Sequence, residues 1–328
     1  MISKIKRVLE YSRVFSLPMT IFSWLVIFTY SLINSGNIKY GLIALLGICF
    51  VHLGTNLIDD FFDYKSLIKR LDFNKEEYLK QSQKTKCRYI INGAFSENQL
   101  LLTAGVYFSI ALCIGYFLFL KCGFGVFYFG LIGAILALLY PFLSKIRLSE
   151  FAVAIAYGPA LFGGVYYVMT GTYSNDVYIL SIPTTLMTVV LLYVHTVMDY
   201  NFDKNEGKKT VANSFKNPKE SLIILKYLLT LSYASILLLC IYDIVDWYIF
   251  SVFITIPIAF DLFKSLQNFT SNTNPSYEKK WFHFPMKNID KIMDKAEANF
   301  VFRLLQSRNL MIYFTILIII ALIIDLGI

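Results

Sequence analysis

Two short runs gather acidic side chains at spacings that stack them. The first reads His52-Leu-Gly-Thr-Asn56-Leu-Ile-Asp59-Asp60-Phe-Phe-Asp63-Tyr64, and the second His195-Thr-Val-Met-Asp199-Tyr-Asn-Phe-Asp203-Lys-Asn-Glu206-Gly207-Lys208-Lys209-Thr210. On a helix Asn56, Asp60 and Asp63 fall at i, i+4 and i+7, with Asp59 beside them. His195, Asp199 and Asp203 fall at i, i+4 and i+8, again on one face. Carboxylates at the end of an apolar segment repel one another unless a cation joins them. Two such groups suit a hard divalent ion such as Mg2+, which takes oxygens from one or two carboxylates, water and phosphate. Each group is followed within one loop by base: Lys84, Lys86 and Arg88 after the first, Lys208 and Lys209 after the second. Carboxylates for metal beside Lys and Arg for phosphate oxygens make a diphosphate site. The candidate metal ligands are Asn56, Asp59, Asp60, Asp63, Asp199 and Asp203, and the candidate diphosphate contacts Asn56, Lys86, Arg88, Lys208 and Lys209. Acids that merely mark helix ends would account for one such group alone. Two groups, each at helical spacing and each followed by base, favour the site.

The elements that must carry these residues follow from composition. The chain has 328 residues, 57% hydrophobic and 16% charged, where soluble domains carry about 25% charge. With 29 Phe and 23 Tyr, a soluble fold would expose greasy surface on every side, which excludes an ordinary cytosolic enzyme, a disordered chain and a nucleic-acid binder. Five Cys share no metal-binding spacing and read as packing residues. No glycine-rich phosphate loop supports a nucleotide-driven pump. A membrane helix needs about 20 mostly apolar residues, and nine stretches qualify: about 14–34, 40–60, 98–120, 124–143, 151–170, 177–198, 221–242, 246–265 and 308–327. The first is too long for a signal-peptide core and is expected to be an anchor. Nine spans place 28 of the 30 Lys and Arg on one side, against Lys39 and Lys121 on the other. The positive-inside rule then sets the N-terminus in the cytoplasm and the C-terminus outside. Long cytoplasmic loops are expected at about 64–97, 199–220 and 266–307, within one transmembrane domain over 1–328. Ile289, Ile292, Met293, Ala296 and Phe300 stand at helical spacing, as in an amphipathic interfacial helix or a plain connector over Lys287 to Leu305.

At the two acid motifs the chain resembles the UbiA superfamily of intramembrane prenyltransferases, and the resemblance covers most of the chain. Those proteins carry roughly NDxxDxxxD on the second helix and DxxxD on the sixth. Asp60 and Asp63 match the first two Asp of motif one, and Asp199 and Asp203 the pair of motif two. Gly207-Lys208-Lys209-Thr210 looks like the GKxT that follows motif two, and Lys86-Cys-Arg88 leading to Gly93 like the basic segment before the third helix. Further echoes are Arg13 to Pro18 and Tyr140-Pro141. Leu148-Ser-Glu150, with Gly158-Pro159 and Gly163, looks most like the 1,4-dihydroxy-2-naphthoate (menaquinone) branch. The chain departs from the pattern where Asp59 replaces Asn, where Leu67 replaces the third acid or Asp72 shifts it, and where His195 and Met198 replace the branch's Asn and Arg. These departures touch the choice of acceptor more than the chemistry.

The resemblance implies an all-α bundle of nine transmembrane helices around a central cavity open to the cytoplasmic side, in the plasma membrane. It implies transfer of a polyprenyl chain from an allylic diphosphate to an aromatic acceptor, with 1,4-dihydroxy-2-naphthoate favoured. Asp60 and Asp63 with Asn56 would hold one Mg2+, and Asp199 with Asp203 another. Tyr64, Tyr140 and Tyr200 are placed to shelter an allylic cation. Glu150 is either an acceptor-side group or a helix N-terminal acid. His195 orients a carboxylate or meets the acceptor, or is simply packed; His52 reads as structural, and His283, in a polar loop, carries no signal. Two rivals remain. One keeps the fold and changes the acceptor to 4-hydroxybenzoate, another phenol, a haem vinyl group, a sugar diphosphate or a glyceryl phosphate lipid. The other is a cation or lipid transporter, in which the recurrence of the acid motif would mark a repeat; both motifs sit at one face, not the midplane, which counts against it.

Overall fold

The computed structural model describes residues 2–70, 73–80, 87–205, 207–271, 278–286, 289 and 297–325. Among the described residues, nine helices are long and apolar enough to cross a membrane: Val14–Ile33, Ile38–Ile68, Glu97–Cys122, Gly125–Leu143, Ser149–Thr170, Asp176–Met198, Pro218–Ile241, Trp247–Thr270 and Ala298–Asp325. They are numbered here as the first to ninth spans. All nine expected stretches are present, and several are longer than the apolar run alone indicates. The second has 31 residues, about 46 Å at 1.5 Å per residue. That exceeds a hydrocarbon core of about 30 Å, so the part carrying Asn56 to Asp63 continues as helix beyond the apolar run.

Local chemistry sets the helix ends. Asn37 caps the second span, its side chain accepting from the Tyr40 N–H at 3.3 Å. Ser96 and Gln99 form a reciprocal capping box at the start of the third. Asn217 caps the seventh, with Pro218 in its first turn, where a missing N–H is harmless. The fifth span is broken by a π-helical turn over Ala156–Ala160. Pro159 has no N–H to donate there, and a Cβ on Gly158 would meet Thr185 Oγ1 at 2.8 Å.

The sixth span is the most buried of the nine, and the third and fourth are the most exposed. Trp24, Tyr193, Leu225 and Phe314 join the first, sixth, seventh and ninth spans in the largest core cluster. A second cluster packs Cys87, Ile90 and Ile91, from the segment before the third span, against Leu53, Leu57 and Leu100. That docking carries the following residues onto the acidic end of the bundle. Leu102, Leu112, Leu120 and Ile254 remain exposed, as helices packed against lipid chains require.

Three expectations change. Helix persists to Ile68, to Thr270 and from Glu297, so the connections are shorter than the apolar runs imply. Of the amphipathic stretch Lys287 to Leu305, the part from Glu297 is the beginning of the last helix, and residues 287, 288 and 290–296 lie outside the described residues. His283 is buried at 1% exposure instead of idle in a polar loop. Its Nε2 lies 2.7 Å from Asp261 Oδ2, to which Gln306 also donates, and Asn309 donates to its carbonyl at 2.6 Å. The polar appearance of residues 278–286 reflects side chains that are consumed in tying this segment to the eighth and ninth spans.

Candidate active site

The second span brings Asn56, Asp59, Asp60 and Asp63 to the wall of one large cavity, of about 3240 Å³. The sixth span and the turn after it bring His195, Asp199 and Asp203 to the same wall. Helix stops at Met198 and resumes over Tyr200–Asn205, so motif two is not one unbroken helix. Its bonding nevertheless stays at i to i−4: the Asp199 N–H donates to His195 O at 2.9 Å and the Asp203 N–H to Asp199 O at 2.8 Å. The acids therefore keep their common face across the break.

The two motifs meet through a cation. Lys208 Nζ lies 3.7 Å from Asp63 Oδ2, which joins the loop after motif two to motif one. Gly207 makes the turn with φ at +71°, a region open to glycine without strain. Asn213 holds the loop in place by accepting from the Thr210 N–H at 2.9 Å and donating to Lys208 O. Asp59 and Asp60 are 4% and 1% exposed, and Asp203 is buried.

Arg13, just before the first span, is the counter-ion of the buried pair. Its guanidinium donates to Asp60 Oδ1 and lies 3.7 Å from Asp59 Oδ2. Tyr89 donates to the other Asp60 oxygen at 2.9 Å. The Cys87 thiol donates to the Asp60 carbonyl at 3.3 Å. Burial opposes the Arg13 charge, but Asp60 and Asp59 outweigh it and hold the guanidinium above its ordinary pKa. Burial, and then the Asp60 charge, push the Tyr89 phenol up, so it stays a neutral donor. Neither contact shows in the sequence as a spacing. Arg13 stands out only as the start of an Arg13 to Pro18 run, and Tyr89 carries no signal.

Other candidates separate by position. Arg88, Tyr140 and Tyr200 line the cavity. Arg88 donates to Leu79 O at 3.0 Å, and Tyr200 donates to Phe215 O at 2.7 Å. His195 also lines it, its ring edge-on to Phe300. Tyr64 packs into the second apolar cluster and Lys209 pairs its backbone with Arg147, so neither is on the wall. Glu150 accepts from Ser149 at 2.7 Å and is likewise off the wall, closer to the plain helix-terminal acid. Lys86, Lys84 and Asp72 lie outside the described residues.

Beyond the acids the wall becomes apolar, through Gly47, Ile48, Val51, Leu161 and Val165 towards Phe124. The cavity thus joins an end lined by carboxylates and bases to an apolar channel. Lys208 supplies a direct check: Lys208→Met should raise KM for a diphosphate substrate by about tenfold, the equivalent of about 1.4 kcal/mol, with a smaller change in kcat. An unchanged KM in steady-state assays would remove Lys208 from the headgroup site.

A helical membrane protein whose cavity pairs carboxylates and base with an apolar channel is built for an amphiphile with an anionic head. The chain belongs to the UbiA prenyltransferase family, whose model it matches over residues 16–286, and it is a prenyltransferase. A structure of digeranylgeranylglyceryl phosphate synthase is similar at 19% identity and TM-score 0.57, over 98% of this chain and 99% of that one. An apo UbiA homolog from Aeropyrum pernix K1 is similar at 15% and 0.56, over 93% and 97%. A UbiA homolog from Archaeoglobus fulgidus bound to DMAPP and Mg2+ is similar at 14% and 0.52, over 93% and 98%. No curated protein matches the chain in sequence.

Proposed function

We propose that the protein transfers a polyprenyl group from an allylic diphosphate to an aromatic acceptor, with 1,4-dihydroxy-2-naphthoate as the favoured one. The observation that carries the reading is the meeting of both acid motifs, Arg13 and Lys208 at the head of one apolar cavity. Among the described residues, no three His, Cys, Asp or Glu side chains are grouped tightly enough to enclose an ion by themselves. The oxygen-only donor set still fits Mg2+, which prefers to share its shell with substrate phosphate and water. Arg13 and Lys208 now stand as cations against these same acids. Asn56, Asp59, Asp60 and Asp63 would hold one ion and Asp199 and Asp203 a second. Bound Mg2+ would neutralise the diphosphate and ease its departure.

The chain's own groups do the rest. Lys208, Arg88 and Arg13 balance charge as the C–O bond opens and its electron pair passes to the diphosphate. Tyr140 and Tyr200 line the same cavity and would shelter the allylic cation, and the apolar wall takes the prenyl tail and excludes water. The naphthoate preference rests on the resemblance at Leu148 to Glu150, Gly158-Pro159 and Gly163. A glyceryl phosphate lipid is the second reading, favoured by the likeness to digeranylgeranylglyceryl phosphate synthase. The 28-to-two asymmetry of Lys and Arg supports a plasma-membrane orientation with the N-terminus and the acidic end in the cytoplasm and the C-terminus outside. Residues 1–328 act as one transmembrane unit in this reading.

The test is product mass. Purified protein with Mg2+ and geranylgeranyl diphosphate is offered 1,4-dihydroxy-2-naphthoate, 4-hydroxybenzoate and a prenylated glyceryl phosphate in parallel. A naphthoate-derived product carrying one prenyl group, with its carboxyl retained or lost as CO2, is the expected result. Product on the glyceryl phosphate alone would establish the second reading, and no product on any acceptor would refute the proposal.

A further inference from the structure

A second polar group lies on the cavity wall, and the diphosphate site leaves it unused. His52 sits one helical turn from Asn56, on the side away from Asp60 and Asp63. Its Nε2 is 2.7 Å from Ser16 Oγ, and its Nδ1 is 2.6 Å from both Tyr157 OH and Thr20 Oγ1. The Ser16 hydroxyl donates to Arg13 O at 2.7 Å, while its oxygen accepts from Asn56 Nδ2 at 3.2 Å. With the Ser16 proton directed to Arg13 O, the network assigns the hydrogen to His52 Nε2, which donates it to Ser16. Nδ1 is left as the lone-pair nitrogen, facing two hydroxyls.

Those hydroxyls differ in access. Thr20 is fully buried and off the wall, whereas Tyr157 and His52 line the cavity. Tyr157 lies in the π-helical turn of the fifth span, where Gly158 departs to φ −94° and ψ −108°. Turns of this kind recur at functional sites. On one side of the pair are Asn56 and the acids, and on the other the wall is Ile48, Val51 and Val165. A diphosphate held by the acids with its tail along the apolar wall would place its reacting carbon near this junction.

We propose that Tyr157 and His52 form the acceptor-side proton relay. This rests on the prenyl-transfer reading above. Transfer to a hydroxyl oxygen, or to a ring carbon that carries hydrogen, releases a proton: the allylic C–O bond breaks with its electron pair passing to the diphosphate, the acceptor bonds to the freed carbon, and the acceptor's hydrogen leaves as H+. At a carbon that carries a carboxylate, CO2 leaves instead and the proton handled is that of the neighbouring hydroxyl. Tyr157 oxygen takes that proton as its own hydroxyl proton passes to His52 Nδ1. The imidazolium formed is steadied by donating to Ser16, and returns its proton to solvent when diphosphate leaves. Tyr157 is the catalytic residue of the pair and His52 the positioning residue acting through it.

The experiment compares Tyr157→Phe, His52→Gln and Thr20→Val in purified protein with Mg2+, geranylgeranyl diphosphate, and both 1,4-dihydroxy-2-naphthoate and a prenylated glyceryl phosphate as acceptors. A general-base step contributes roughly 10²–10⁴-fold, so Tyr157→Phe and His52→Gln should each lose about that much kcat, with KM for the allylic diphosphate within about twofold. Thr20→Val removes hydrogen bonds to both His52 Nδ1 and Tyr157 OH, at 2.6 and 3.1 Å, which position the pair without passing the proton, and should cost about tenfold in kcat at most. A merely structural network predicts equal effects for Thr20→Val and Tyr157→Phe, and that result overturns the relay. So does a Tyr157→Phe enzyme with unaltered kcat. Retained KM shows that a variant is folded; if His52→Gln fails to fold, the contrast between Tyr157→Phe and Thr20→Val decides alone. Wild-type protein without product on these two acceptors or on 4-hydroxybenzoate sinks the underlying reading instead, and is distinguishable because the wild type itself is then silent.

Discussion

Asp60→Asn should lower prenyl transfer by at least roughly 10²–10³-fold, the scale seen when one electrostatic stabiliser of a developing charge is removed. Asp60 is 1% exposed and receives Arg13 on one oxygen and Tyr89 on the other. Asparagine keeps the volume and can still accept from Tyr89, but its NH2 then faces the Arg13 guanidinium, so thermal unfolding is measured alongside to separate loss of the headgroup charge from loss of the ion pair. Asp199→Asn should produce a loss of the same order, since Asp199 faces the same cavity from the sixth span. The double variant should lose much less than the product of the two, because groups acting on one headgroup are not additive. Asp325→Asn, in the ninth span and absent from the cavity wall, is the control and should be unaffected. The measurement is prenylated product at saturating Mg2+ and geranylgeranyl diphosphate. Full activity in either Asp60→Asn or Asp199→Asn would dissolve the assignment of that motif.

What the sequence reveals about this protein divides according to the physics that produces it. Nine apolar runs and one-sided basic charge reflect the bilayer itself, acting on each segment independently. The acid motifs are equally visible because helical spacing fixes which residues of one segment share a face. Contacts between segments are not encoded in that way. Arg13 and Asp60 are 47 positions apart, and their ion pair exists because the first and second spans pack side by side. Tyr64 belongs to the first motif by spacing, yet the rotation of its helix turns it into the cluster with Leu53 and Leu57. His52 looks structural by position in the chain. Its role on the wall emerges only when Ser16 from the first span and Tyr157 from the fifth converge on its two nitrogens. The break after Met198 escapes notice because hydrogen bonding continues across it.

Removing Arg13 should destabilise the protein strongly in the absence of metal, and Mg2+ should repair much of the damage. Asp59 and Asp60 are adjacent, both nearly inaccessible, and Arg13 lies against both. Taking one partner from a buried ion pair leaves charge in a low-dielectric place, which typically costs about 3–5 kcal/mol. At roughly 2–4 °C per kcal/mol for a chain of a few hundred residues, Arg13→Gln should lower Tm by about 6–20 °C in metal-free buffer. Millimolar Mg2+ supplies another cation for the same oxygens, so its stabilising shift should be several degrees larger in Arg13→Gln than in wild type. The reason is competition: in the wild type the ion must share or displace a guanidinium already bonded to Asp60, and in the variant that guanidinium is gone. Arg13→Lys should lie between, since a point charge replaces a fork that spans two carboxylates. The experiment is thermal unfolding in detergent with and without Mg2+. If the Mg2+ shift is the same in wild type and Arg13→Gln, then the ion does not bind where Arg13 sits, and motif one is a structural ion pair instead of a metal site.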